Sequence, residues 1–102
     1  MGFVCNLNLH GIVVPIITPV NEQEKVEESK LRNQVNYVID GGVNGILAFG
    51  SNGEFYMLDP EEMEEAFRII VDEVNGRVPV FFGIGSIRTS RCIELAKVAE
   101  QL

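Results

Sequence analysis

The chain has 102 residues, of which 46% are hydrophobic and 23% charged, with 10 Gly and 4 Pro; this is the composition of one globular domain and excludes collagen-like, low-complexity and disordered classes. Fifteen Asp and Glu against eight Lys and Arg give a formal net charge of −7, which repels nucleic acid and anionic membrane surfaces, so neither is expected as a partner. Cys5 and Cys92 have no metal-binding or redox spacing, and Met1 to Leu9 has no basic start, so a cytoplasmic location is predicted rather than secretion.

The first predicted strand is the apolar run Ile12–Ile17. Like the later apolar runs it is continuous rather than alternating, which is typical of strands buried on both faces of a sheet. Pro15 lies inside this run and is compatible with a strand only at a sheet edge or a bulge. An amphipathic stretch from about Ser29 to Ile39 predicts the first helix, and Gly41 and Gly42 are predicted to end it with left-handed φ angles.

The second strand is predicted at Ile46–Phe49, and the second helix starts after Asp59. Asp59 can cap that helix, Pro60 suits its first position, and Glu62 stands where a capping box needs a side-chain acceptor. The apolar side of this helix follows helical spacing and comprises Met63, Ala66, Phe67, Ile70, Val71 and Val74.

The third strand is predicted at Val80–Phe82, and a third helix has one apolar face, which comprises Cys92, Leu95, Ala96, Ala99 and Leu102. The β-α-β-α-β-α order of an α/β protein implies parallel strands joined by crossovers. The strands repeat about every 33 residues, close to the roughly 31 residues per unit of a (β/α)₈ barrel of about 250 residues. A doubly wound open sheet shares this local order, so the pattern alone leaves both architectures open.

The loop after the second strand, Gly50-Ser51-Asn52-Gly53-Glu54, is the most informative segment. It follows the carboxyl end of a parallel strand, where ligands bind in α/β folds. Gly50 and Gly53 allow a tight turn with positive φ and close backbone approach, which would aim N–H groups at an anion such as a carboxylate. Ser51 and Asn52 add a hydroxyl and an amide. A plain βα turn uses the same residue types, so the residues alone leave both interpretations open.

This loop, preceded by Gly45-Ile46-Leu47 and followed by Asp59-Pro60-Glu61-Glu62, resembles the signature of the dihydrodipicolinate synthase / N-acetylneuraminate lyase family. Pro15-Ile16-Ile17-Thr18-Pro19 is similar to the first strand of that family, and the stretch from Val78 to Gly85 is similar to its third. The resemblance covers the chain from Gly11 onward, with the pieces in the right order and spacing.

The resemblance implies a class I lyase, which forms a Schiff base between a lysine and a 2-oxo acid such as pyruvate and needs no metal or other cofactor. It also implies the first three βα units of a (β/α)₈ TIM barrel that is incomplete in this chain, with residues 1–102 as the N-terminal part of a single domain. A cytoplasmic homo-oligomer, either a dimer or a tetramer, is implied for the whole protein.

The resemblance also assigns roles within the loop. Ser51 would be catalytic, because its hydroxyl would join a proton relay that contains a tyrosine, and Ser51 and Asn52 would together bind the carboxylate. Gly50, Gly53 and Glu54 would set the loop geometry, with Glu54 as a structural acceptor. Many members carry threonine where Asn52 stands, which leaves 2-oxo sugar-acid and hydroxy-oxoglutarate aldolases open beside the synthase.

The Schiff-base lysine and relay tyrosine of the family lie downstream of Leu102. The lysines of this chain, Lys25, Lys30 and Lys97, fall in a polar loop and on helices, where nothing depresses a lysine pKa as catalysis needs. The 102 residues alone are therefore predicted to be inactive. The alternative interpretation is a non-catalytic module of the same fold, produced by truncation or splitting.

The other polar and reactive residues are predicted to be structural. His10 is expected at the surface, Tyr56 is expected to cover or pack on the loop, and Cys92 lacks the basic surroundings of a reactive thiolate. The acidic run at the start of the second helix is interpreted as a solvated face rather than a metal site; it comprises Glu61, Glu62, Glu64 and Glu65.

Overall fold

The computed structural model describes residues 10–102, so Cys5 and the Met1 to Leu9 segment lie outside the described residues. The elements in chain order are β1 (Val13–Pro15), α1 (Glu28–Asp40), β2 (Gly45–Ala48), α2 (Pro60–Val74), β3 (Val80–Phe82) and α3 (Thr89–Glu100), with two short 3₁₀ turns between β2 and α2 at Ser51–Gly53 and Phe55–Met57. The strands form one parallel sheet in the order β1-β2-β3. The predicted alternation of strands and helices is confirmed.

The two faces of the sheet differ in burial, because successive side chains of a strand point to opposite sides. By register, one face carries Val14, Ile46, Ala48, Val80 and Phe82. The opposite face carries Val13, Pro15, Leu47 and Phe81. Ile46 on the first face is fully buried, whereas Val13 on the second is 38% exposed. Within residues 10–102 the strands are therefore buried more deeply on the first face than on the second, so the prediction of burial on both faces is met only in part.

β1 is an edge strand of the described sheet, and Pro15 is its last residue. An edge position is one of the two that the sequence allowed for this proline, because no ladder hydrogen bond from its nitrogen is needed there. The strand is shorter than predicted, since Ile16 continues the run without belonging to β1 although its N–H donates to the Leu47 carbonyl at 3.0 Å.

The core lies between the sheet and the helices α1 and α2. Leu31 and Val35 are the buried residues of α1. α2 buries a wider stripe, which comprises Met63, Ala66, Phe67, Ile69, Ile70 and Val74. α3 buries only Leu95, while Ala96 on its predicted apolar face is exposed, so the predicted face of α3 is only partly correct.

The ends of the helices follow local chemistry. At the start of α2, the Asp59 N–H donates to Glu62 Oε1 at 3.1 Å, which confirms the predicted capping box. At the end of α1, Gly42 has a φ of +95° but Gly41 has a φ of −74°. Only Gly42 therefore takes the predicted left-handed conformation. α2 ends at Asn75, whose φ of +49° the sequence analysis missed.

A polar network joins the outer sides of α1 and α2. Arg32 Nη1 donates to Asp72 Oδ2 at 2.7 Å and to Glu73 Oε1 at 3.0 Å, and its Nε donates to Glu28 Oε2 at 2.9 Å. Asn36 Nδ2 donates to Glu73 Oε2 at 2.7 Å. The Asn36 amide first, and then the Arg32 guanidinium, hold the pKa of Glu73 below its ordinary value.

Candidate functional site

The loop from Gly50 to Glu54 lies at the carboxyl edge of the sheet, directly after the central strand β2. Its first 3₁₀ turn, Ser51–Gly53, presents Ser51 and Asn52 at the surface, where both residues are exposed. The loop therefore lies where the strand order of a parallel sheet directs ligand-binding groups.

The two glycines of the loop differ in what surrounds them. A Cβ atom at Gly53 would lie 3.1 Å from the Ile16 carbonyl oxygen and 3.3 Å from Thr18 Oγ1. At Gly50 a Cβ atom would lie 3.4 Å from the nearest Leu47 carbon, which is an ordinary van der Waals contact. Gly53 thus packs closely against the chain that follows β1, and a larger residue there would have to displace that chain.

The left-handed residues of the loop are not the glycines. Gly50 has a φ of −79°, while Phe49 before it has a φ of +63° and Glu54 after the turn a φ of +54°. The prediction of positive φ at Gly50 and Gly53 is therefore wrong. The physical reason is the 3₁₀ turn Ser51–Gly53, whose residues have negative φ, and the extended conformation of Gly50 before it. The left-handed residues are therefore those on either side, Phe49 and Glu54.

Backbone hydrogen bonds hold the turn. The Gly53 N–H donates to the Gly50 carbonyl at 3.0 Å, and the Glu54 N–H donates to the Ser51 carbonyl at 3.1 Å. The N–H groups of Ser51 and Asn52 begin the helical turn and have no acceptor inside it. Glu54 supports the next turn with its backbone, since its carbonyl accepts from the Met57 N–H at 2.9 Å. The turn leaves two N–H donors, a hydroxyl and an amide on one exposed segment.

A cleft of about 460 Å³ lies beside the loop, between the second 3₁₀ turn and the segment that joins β3 to α3. Its lining includes Phe55, Tyr56, Met63, Ser86, Arg88 and Arg91. The charged side chains of this lining are both arginines. Tyr56 lines this cleft and is 69% exposed. Ser51 and Asn52 lie outside the lining.

Ser86, Arg88 and Arg91 were not predicted as cleft residues from the sequence. The sequence did contain a signal for these residues, because they follow the glycine-rich end of β3. The carboxyl ends of β2 and β3 lie at the same edge of a parallel sheet. The polarity of these residues was not used, because the third strand was interpreted from its apolar residues alone.

The three lysines of the chain lie at its surface. Lys25, Lys30 and Lys97 are all exposed, and Lys30 Nζ lies 3.3 Å from Glu27 Oε2 on the first turn of α1. Lys30 and Lys97 lie on helices, and Lys25 lies in the loop that joins β1 to α1. Their placement agrees with the prediction of solvated surface lysines.

The remaining polar and reactive residues are His10, Cys92 and the acidic run of α2. His10 is exposed, and Cys92 Sγ lies 3.6 Å from the Ser86 carbonyl oxygen. In the acidic run, Glu64 Oε1 accepts from Arg68 at 2.6 Å. Among residues 10–102, no group of three or more His, Cys, Asp or Glu side chains is placed to hold a metal ion. No helix in that range is long and apolar enough to cross a membrane.

Residues 8–102 match the dihydrodipicolinate synthetase family. Among curated proteins, a 4-hydroxy-tetrahydrodipicolinate synthase of Methanosphaera stadtmanae is 40% identical over 94 residues, which cover 92% of this chain and 32% of the relative. The chain thus spans about a third of the length of the curated relatives it matches.

Solved structures of the same family superpose on this chain. The chloride-inhibited dihydrodipicolinate synthase of Acinetobacter baumannii, complexed with pyruvate, superposes with a TM-score of 0.87 at 33% identity, over 92% of this chain and 32% of that one. The N-acetylneuraminate lyase of Mycoplasma synoviae superposes with a TM-score of 0.77 at 31% identity, over 87% of this chain and 31% of that one. These relatives distinguish the TIM barrel from the open sheet, which strand order alone did not.

Proposed function

Since the chain belongs to the dihydrodipicolinate synthetase family of lyases and folds as the first βα units of a TIM barrel, we propose that it contributes to an enzyme that forms a Schiff base with pyruvate or another 2-oxo acid. Residues 1–102 would be the N-terminal part of a single barrel domain. The pyruvate complex of the Acinetobacter baumannii relative supports this class of substrate.

The exposed position of Ser51 and Asn52 at the carboxyl edge of the sheet is the observation that supports this function best. The 2-oxo acid would place its carboxylate against the N–H groups of these two residues and the Asn52 amide. Such donors keep a carboxylate in one orientation, since hydrogen bonds to a charged acceptor are stronger than neutral ones. The Ser51 hydroxyl would then lie beside the reacting carbon as part of a proton relay.

The chemistry of the imine determines which steps the residues of this chain perform and which step the lysine performs. A protonated imine accepts the electron pair of a neighbouring carbon–carbon bond, so that bond can be made or broken without a metal. The residues of this chain bind and orient the 2-oxo acid and move a proton at Ser51 Oγ. The imine-forming lysine would come from outside these 102 residues, because all three lysines here are exposed and lack the burial that makes a lysine nucleophilic.

Two substitutions in the protein that contains this chain test the roles of the loop. Ser51→Ala should allow imine formation but slow proton transfer, so that kcat falls by roughly 10²-fold or more, the usual size of general acid–base catalysis. Asn52→Ala should remove a donor to the carboxylate and weaken 2-oxo acid binding by about 1.5–3 kcal/mol, which raises KM. Steady-state kinetics with pyruvate separates the two effects.

Melting temperatures of the same variants are the control for folding. Both side chains are exposed, so each variant should melt within a few degrees of the parent protein, as surface substitutions usually do. If kcat and KM are unchanged in both variants, the loop is not part of the active site and the proposed roles are wrong.

A second candidate is an aldolase of 2-oxo sugar acids or of hydroxy-oxoglutarate. Asn52, where many family members have threonine, and the similarity to the N-acetylneuraminate lyase of Mycoplasma synoviae support it. Incubation with 2-oxo sugar acids distinguishes the candidates, because cleavage releases pyruvate whereas a synthase consumes pyruvate together with an aldehyde.

We also propose that the whole protein is a cytoplasmic homo-oligomer, a dimer or a tetramer. Exposed apolar side chains near the cleft support association, namely Tyr56, Met57 and Ile87. Light scattering of the purified protein measures the molar mass directly, and a monomer would contradict the proposal.

A further inference from the structure

Phe49 has an unusual backbone conformation for its size. Its φ is +63°, in the left-handed region where a bulky residue is an outlier that the surrounding structure must hold in place. It is also 2% exposed, so its ring is buried. Phe49 is the residue at which β2 leaves the sheet and the Gly50–Glu54 loop begins. A strained and buried residue therefore sets the direction in which this loop starts.

The ring of Phe49 is anchored on two other elements. Its centroid lies 4.9 Å from that of Phe82 in β3, in an edge-to-face arrangement, and 6.2 Å from that of Phe67 in α2. Phe67 and Phe82 stack on each other with centroids 4.8 Å apart. Rotation of the Phe49 backbone out of the left-handed region would have to move this ring through packed neighbours, so the aromatic cluster maintains the strained φ.

Gly83, which directly follows β3, packs closely against the backbone of Phe49. The Gly83 N–H donates to the Ala48 carbonyl at 2.9 Å. A Cβ atom at Gly83 would lie 2.6 Å from the Phe49 carbonyl oxygen and 2.9 Å from that of Ala48, distances at which the Phe49 peptide would have to move. The left-handed conformation of Phe49 thus brings its carbonyl into the space that Gly83 leaves free because it has no side chain.

We infer that Phe49 and Gly83 are positioning residues for the carboxylate site, an inference that rests on the proposed function of the loop. They fix the loop at β3, while Gly53 fixes it at β1 through its approach to the Ile16 carbonyl. Ser51 and Asn52 lie between these two contacts. Displacement at Gly83 therefore shifts the donors of the loop relative to the other strands, and misplacement by about 1 Å costs up to 10²-fold in rate.

The test compares two Gly→Ala variants in the full protein that contains this chain. Gly83→Ala should displace the Phe49 peptide and lower kcat/KM for pyruvate by about 10-fold to 10²-fold, mainly through KM. Gly45→Ala is the matched control, since Gly45 lies at the amino end of β2 and its added Cβ would lie 3.3 Å from Phe81 and Val13. It should lower the melting temperature without changing the KM of the folded enzyme.

A second variant keeps the inference testable if Gly83→Ala does not fold. Phe49→Gly adopts positive φ freely but removes the anchoring ring, so the loop keeps its path without being held. It should raise KM for pyruvate by about tenfold, whereas a purely structural role of Phe49 would lower the melting temperature and leave KM unchanged. Unchanged KM in every folded variant of Phe49 and Gly83 would overturn the inference.

The Ser51 and Asn52 variants separate this failure from failure of the proposed function. If those variants alter kinetics and the Phe49 and Gly83 variants do not, the loop binds substrate but needs no support from β3, and only the positioning inference is wrong. If the Ser51 and Asn52 variants also leave kinetics unchanged, both the proposed function of the loop and the positioning inference are wrong.

Discussion

Glu73 shows how single residues in this chain depend on partners far away in sequence. Its carboxylate accepts from the Asn36 amide at 2.7 Å and from Arg32 at 3.0 Å, with the charge of Arg77 nearby and the Asp72 carboxylate on the same guanidinium. These contacts favour the ionised form, so the pKa of Glu73 is lower in the folded chain than in the unfolded chain.

The sign of the pH effect follows from this direction. A carboxyl group with a depressed folded pKa contributes stability above its unfolded pKa and loses it as the pH falls through the folded value. We expect Glu73→Gln to lower the melting temperature at neutral pH. The difference from the parent protein should shrink as the pH falls below 4.5, the ordinary pKa of this group. Calorimetry from pH 7 to pH 3 measures this difference.

Glu65→Gln is the control for this experiment, because Glu65 is an exposed residue of the same helix. It should change the melting temperature little at any pH. A melting-temperature difference for Glu73→Gln that stays constant across the range would contradict the assignment, since it would not arise from ionisation.

At the residue scale, contacts between residues close in sequence could be predicted, whereas contacts between residues far apart in sequence could not. Asp59, Pro60 and Glu62 were interpreted correctly because a capping box depends on residues three apart. Arg32 and Asp72 are 40 residues apart, and no local pattern pairs them. The positive φ of Phe49 was also missed, because propensity assigns that conformation to glycine and only the packing of the ring accounts for it.

At the scale of elements, α2 contributes more residues to the described core than any other element. Ile70 is 1% exposed, whereas Ile93 on α3 is 53% exposed. Ile70→Ala should therefore destabilise the protein by about 2–5 kcal/mol through lost contacts and the cavity left behind. Denaturant unfolding measures the free energy of unfolding of this variant and of the parent protein.

Ile93→Ala is the matched control, because it makes the same change on a helix surface. Its effect should stay within about 0.5 kcal/mol, the usual size for surface substitutions. Equal losses for the two variants would show that the face of α3 is covered in the protein that contains this chain.

The element bounds show why prediction succeeded for some segments and not for others. The third strand, Val80–Phe82, was predicted at its observed bounds, since Pro79 and Gly83 delimit it. β1 is shorter than its apolar run, which begins one residue before it and continues two residues beyond Pro15. Apolar residues in α3 do not all face the core, and helical spacing identifies a face without showing what covers it.

For the whole molecule, the chain alone should have no turnover. The three lysines are exposed, so none has the burial that makes a lysine nucleophilic at neutral pH. Borohydride reduction in the presence of pyruvate, followed by mass spectrometry of peptides, tests this. A stoichiometric adduct on Lys25, Lys30 or Lys97 would contradict the expectation.

A second expectation at this scale concerns the open face of the sheet. Val13 and Ile17 are 38% and 56% exposed, and an apolar face of this kind drives association. The 102 residues in isolation should self-associate or be partly molten. A sharp monomeric gel-filtration peak together with cooperative melting would contradict this expectation.

The contact between Arg32 and Asp72 also has a consequence for synthesis on the ribosome. The two residues are 40 positions apart, so at about 5–20 residues per second Arg32 emerges roughly 2–8 s before its partner. During that interval α1 has neither the acidic groups of α2 beside its guanidinium nor the apolar stripe of α2 against Leu31 and Val35. The nascent chain therefore exposes an incomplete helix layer for seconds, which is long enough for a chaperone to bind it.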